Sequence, residues 1–119
     1  MTLSGTRLQQ IARDTAASLD DVTSGRPFTP HLEVWKVRDK VFLIVTEDDP
    51  QLQIITVKVD PDHGDALRRT HDSITAGHYL DKQHWISIGP GPGITAALIK
   101  DLVEGSGELA SGHGAEGHD

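Results

Sequence analysis

The sequence predicts an α+β fold in which one antiparallel β-sheet is flanked by helices at the N- and C-terminal ends of the chain. Three observations lead there. Leu32 to Arg38 alternates in polarity, and after a short turn the β-branched and aromatic run Val41 to Thr46 follows, the pattern of a hairpin on a half-buried sheet. Segments near both ends of the chain repeat apolar residues at helical spacing. The first three strands are joined by short connections, which favours an antiparallel meander with helices on one face. A chain of 119 residues, 36% hydrophobic and 24% charged, suits one core and is too short for two.

Taken in order, Thr2 or Ser4 can cap a first helix carrying Leu8, Ile11, Ala12 and Leu19, with Gly25-Arg26-Pro27 as its stop. Leu32 to Arg38 is the first strand, with Trp35 and Val37 pointing one way and Lys36 and Arg38 the other. Arg38-Asp39-Lys40 makes the turn into Val41 to Thr46, without the favoured Asn-Gly. Glu47 to Gln51 is a polar loop, and Ile54 to Val59 a third strand. Asp60-Pro61-Asp62 starts a helix, with a capping acid, an early proline and a carboxylate near the positive dipole end; it closes near Arg69 to His71. His84 to Ile88 is a fourth strand, Gly89 to Gly93 a loop, and Thr95 to Val103 a last helix. The folded domain is expected over residues 3–108 as a sheet of four or five strands. Residues 109–119, small and polar, read as a disordered tail.

Charge limits the partners. The net charge is −7; four acids and no Lys or Arg follow Val103, which leaves 11 basic against 14 acidic residues, or −3, for residues 1–103. Nucleic-acid binders neutralise phosphates with a basic face, so here such a face must be local. The longest apolar run, Val41 to Val45, is far below the roughly 20 residues of a spanning helix, and residues 1–10 lack the apolar core of a secretory signal. The expected location is the cytoplasm, with no membrane partner. There is no cysteine, hence no disulfide or thiolate chemistry.

Four co-linear segments resemble the MmcQ/YjbR family. Gly77-His78-Tyr79-Leu80-Asp81-Lys82-Gln83-His84-Trp85 is similar to its GYHMNK-x-HW signature, and Gly25-Arg26-Pro27-Phe28 to its G-x-PF entry into the sheet. Val37 to Phe42 resembles its V-x-GK-x-F hairpin, and Val57 to Pro61 its LK-x-DP junction. Asp81 stands in place of the family's usual Asn, Leu80 of its Met, Asp39 of the hairpin Gly, and Gly107 of a Tyr near the end of the last helix. The resemblance implies a CyaY (frataxin-like) fold and a family commonly labelled DNA-binding, whose founding member belongs to a mitomycin-resistance cluster.

The expected activity is non-enzymatic binding, of nucleic acid or, alternatively, of a small planar compound. Lys36, Arg38, Lys58, Lys82 and His84 are the candidate contacts for nucleic acid or another anion. Trp35, Tyr79 and Trp85 are the candidate stacking or cleft residues. Two readings of the Gly77 to Trp85 run stand side by side. In one, Lys82 and His84 meet an anion; in the other, Trp85 is core, the histidines bind loop backbone and the Lys82 stem covers apolar surface. Likewise Glu33, Asp39, Asp60 and Asp81 are placed to neutralise the lysines. No CxxC, HExxH or EF-hand spacing occurs and no nucleophile elbow, so neither a metal, a cofactor nor a catalytic group is expected. The prolines of Gly89 to Gly93 remove the donors that a phosphate cradle needs.

Overall fold

The structure, a computed structural model, describes residues 3–27, 29–47, 53–77 and 80–112. Among these the order is α1 (Gly5–Ala17), β1 (Val22–Gly25), β2 (Leu32–Val37), β3 (Lys40–Thr46), β4 (Ile55–Lys58), α2 (Pro61–Thr70), β5 (Ile74–Ala76), β6 (Trp85–Ile88) and α3 (Ala96–Ser111). The strands form one sheet in the order β1-β2-β3-β4-β6-β5, every neighbour antiparallel. The fold is α+β, with the N- and C-terminal helices against the sheet.

Pleating sorts the strand residues onto two faces. Leu43, Val57 and Ile86 lie across from one another, as do Val45, Ile55 and Ile88. These six join Leu8, Ile11, Ala12 and Ala16 of α1, Leu67 of α2, and Ile99, Leu102, Val103 and Ala110 of α3 in the core. All three helices therefore cover one face. α1 is started by the Ser4 hydroxyl, which accepts from the Arg7 amide, and α3 by Thr95, which accepts from Leu98. α2 starts after Asp60 with Pro61 at its first position, although the Asp60 side chain makes no capping bond.

Two polar side chains from the helices close the seam between β3 and β4. Gln9 of α1, 4% exposed, donates its amide to the carbonyls of Thr46 (2.6 Å) and Ile54 (3.1 Å) at one end. At the other end the β2–β3 register slips by one residue between Trp35 and Lys36, leaving Phe42 as the extra residue of a bulge. There the buried Ser106 hydroxyl of α3 donates to the Phe42 carbonyl (2.6 Å) and accepts from the Lys58 amide (2.8 Å). A helix side chain thus completes a ladder that the bulge has opened.

Three expectations need correction. The described residues hold six strands rather than four or five: β1 and β5 are additional. β1 takes Val22–Gly25, a stretch read as the approach to the end of the first helix, whereas α1 stops at Ala17. A four-residue edge strand with three exposed positions shows no alternation to detect. α3 continues through Ser111 instead of ending near Val103, so Leu109 to Ser111 belong to the domain and not to a tail. Gly107 does not interrupt it, because that position faces Leu19 and Phe42, and the helix closes at Gly112 with φ 84°. Residues 113–119 lie outside the described residues.

Candidate site at the end of the helix-free sheet face

The sheet face turned away from the helices carries the row Val34, Ile44, Thr56, Ser87 and Thr75, each opposite the next. Its middle is buried: Val34 is 2% exposed and Ile44 5%, and Thr56 and Ser87 share a buried hydroxyl–hydroxyl hydrogen bond of 2.9 Å. Two residues further along β2 and β4, on this same face, come Lys36 and Lys58. Lys36 lies between Thr23 and Val41, and Lys58 lies opposite Trp85. β2 and β4 run parallel with β3 between them, so the two lysines stand about 10 Å apart, two strand spacings, at one end of the sheet. The resulting band, Thr23-Lys36-Val41-Lys58-Trp85, is half-buried apart from exposed Thr23.

Among the described residues none of Lys36, Lys58 and Lys82 forms an ion pair. Of the acids expected to neutralise them, Glu33 and Asp81 are engaged elsewhere, whereas Asp60 lines a groove together with Lys58. Glu33 lies on the helix-covered face, where Arg13 of α1 donates to it at 2.6 Å and also to Glu47; Arg26 in turn donates to Glu47 at 2.5 Å. That hydrogen bond holds the Arg26 guanidinium above its usual value. Asp81 accepts from the Gln83 amide (2.9 Å) and from His84 Nδ1 (2.8 Å). Those two bonds, the backbone one first, hold its carboxyl below the usual carboxylate range. Lys58 itself lines an acidic groove of about 440 Å³ between the start of α2 and α3, with Asp60, Asp101, Glu104 and Glu108 also on its walls. Among the described residues no three ligand-type side chains converge as a metal site.

The remaining candidates scatter. Arg38 occupies the β2–β3 turn at the same end of the sheet, exposed and 3.8 Å from Asp21. Lys82 lies apart from that band, in a cleft against α2 with Pro61, Asp65, Arg68, Ala76 and Gln83. His84 is spent on Asp81, and its carbonyl accepts from the Val59 amide at 2.8 Å. Tyr79, like His78, lies outside the described residues. A cleft shared by Trp35 and Trp85 does not exist: Trp35 lies across from Leu43 and packs against the core, whereas Trp85 neighbours Ile86 in sequence and so projects to the other face. Alternation read from β2 alone placed Trp35 correctly relative to Lys36; only strand pairing relates it to β6.

The motif around Trp85 has a structural component that sequence reading missed. The Gly77 amide donates to the Trp85 carbonyl at 2.8 Å, and a Cβ at Gly77 would lie 2.6 Å from the Trp85 Cβ. Glycine at the head of the motif is therefore what lets the chain before the loop close onto Trp85.

Comparison with known proteins agrees with this architecture. The chain is 33% identical over 102 residues to the uncharacterised protein YbdF of Escherichia coli O157:H7, covering 86% of this chain and 83% of YbdF. The crystal structure of Deinococcus radiodurans protein DR2400, described as a DUF419 domain, superposes with a TM-score of 0.77 at 26% identity, covering 90% of this chain and 78% of that one. A crystal structure of a protein from Pseudomonas syringae gives 0.69 at 25% identity, with 86% and 97% covered. The profile of the YjbR family matches residues 17–108, most of the chain and all strands of the sheet, and the protein belongs to the MmcQ/YjbR family.

Proposed function

We propose that the protein is a non-catalytic binding protein that takes a single nucleic-acid strand across the cationic end of the sheet face turned away from the helices. The observation that carries this reading is two ladder pairs at one end of this face, Lys36 with Val41 and Lys58 with Trp85; their lysines form no ion pair among the described residues, and Lys58 lies beside an indole. Strand-tracking sites combine phosphate-neutralising cations with an aromatic surface for a base, and a sheet face supplies both at fixed spacing. A duplex suits the molecule less. Its phosphates would spread over a wider footprint that includes the acidic groove beside Lys58, on a chain of net charge −7.

Anisotropy of a labelled 12-nucleotide single strand, read at 50 and 200 mM salt, tests this. Two phosphate contacts give a log–log salt slope near about −1.4 for single strands. Lys36→Ala combined with Lys58→Ala should bring that slope close to zero and weaken binding about tenfold or more, with the melting temperature kept. Undiminished binding by the double variant would overturn the proposal.

A further inference from the structure

On the helix-covered side, away from the band just described, we infer that the cleft between α2 and the β5–β6 end is a binding site for a small phosphate-bearing molecule, held between Arg68 and Lys82. The cleft measures about 480 Å³, room for a ligand larger than a free ion. Its charged lining residues are Arg68, Lys82 and Asp65, two positive against one negative, and Pro61, Ala76 and Gln83 complete it. Arg68 is incompletely partnered. Its Nη2 donates to Asp65, one turn earlier on α2, but Nη1 is shut off from solvent and has no hydrogen-bond partner among the described residues. The guanidinium folds back over Gly64, where an added Cβ would stand 3.6 Å from Nη1.

A buried guanidinium nitrogen without an acceptor is costly, and the Arg68 side chain, 28% exposed, can offer Nη1 to an oxyanion in the cleft by turning it away from Gly64. Lys82, on the opposite wall, has no ion pair among the described residues, so its ammonium is free to meet a second oxygen of the same group. Arginine presents a planar fork and lysine a point charge. A tetrahedral phosphate fills the fork with two oxygens and keeps a third for the lysine, whereas a carboxylate must share one of its two oxygens between fork and lysine. Asp65 acts as the occupant that the ligand must displace or share.

The test is a titration of the ¹⁵N-labelled full chain with inorganic phosphate, and separately with acetate, at constant ionic strength. The expected result is saturable phosphate-induced shifts of the Ala76 and Gln83 amides, weakened about tenfold by Lys82→Gln and by Arg68→Lys, which keeps the charge and removes the fork. Asp65→Asn should tighten phosphate binding. Lys82→Gln changes an exposed residue, so a loss of binding there with an unchanged melting temperature separates ligation from folding. Shifts spread over all basic residues, equal response to acetate, or affinity unchanged in both Lys82→Gln and Arg68→Lys would overturn the inference.

Discussion

A Cβ built at Gly77 would fall 2.6 Å from the Trp85 Cβ and 3.0 Å from its carbonyl oxygen, distances at which the backbone itself must move. Gly77→Ala should therefore cost about 1–3 kcal/mol by overpacking, seen as a lower denaturant midpoint. At the β2–β3 turn both central residues, Arg38 (φ 51°) and Asp39 (φ 67°), occupy the left-handed region, as two-residue hairpins of matching twist require. Side chains there are strained, so Asp39→Gly should raise stability by about 1 kcal/mol despite glycine's looser unfolded chain. Asp81 gives a pH signature. Its folded pKa is depressed by the Gln83 amide and then by His84, so its contribution is present above the unfolded value of about 3.9 and is lost as pH falls through the lower folded one. Asp81→Asn should flatten the acid limb of a stability–pH curve below about pH 4, and leave the curve above it parallel to that of the parent. Residue chemistry at these positions was only partly legible. The departure at Asp39 stood out from its neighbours, whereas the fit of Gly77 against Trp85 depends on a residue eight positions away.

At the scale of elements, helices and strands support one another through few polar contacts. Ser106 joins the Phe42 carbonyl to the Lys58 amide where the bulge separates them, and it is fully buried. Ser106→Ala leaves both backbone groups unsatisfied and should destabilise by about 1–3 kcal/mol, with lost protection of the Lys58 amide in hydrogen exchange as the specific readout. One residue earlier, Gly105 has nothing among the described residues within 4 Å of an added Cβ, and it lies in the interior of α3. Gly105→Ala should gain about 0.5–1 kcal/mol from helix propensity alone. The two neighbouring positions have opposite requirements, and no feature of the glycine-rich Glu104 to Gly107 stretch in the sequence separates them. The sequence places the end of the last helix at Val103, before that stretch; packing of Gly107 against Leu19 and Phe42 carries the helix through it despite the low helix propensity of glycine. Strands with an alternating or continuous apolar pattern, β2, β3, β4 and β6, were legible to within a residue or two. β1 and β5 were not, since a strand of three or four residues is held by its neighbour's ladder more than by its own pattern.

For the molecule as a whole, the sequence by itself determined the class of fold and the order of its main elements, because hydrophobic periodicity is local and survives in one dimension. It also determined that any phosphate-binding surface must be a local one, since a net charge of −7 rules out a globally basic protein. Tertiary structure decided which of the candidate residues meet. Lys36 and Lys58, twenty-two positions apart, come to one end of one face because β2 and β4 run parallel across β3. Lys82, grouped with them by its motif, instead faces α2 and Arg68. Trp35 and Trp85, paired by chemistry, are divided by the sheet itself. Alternation tells which side of its own strand a residue takes, but the side is relative. Only the register of hydrogen-bonded neighbours turns those separate parities into two common faces, and register is set by long-range pairing that no short window of sequence contains.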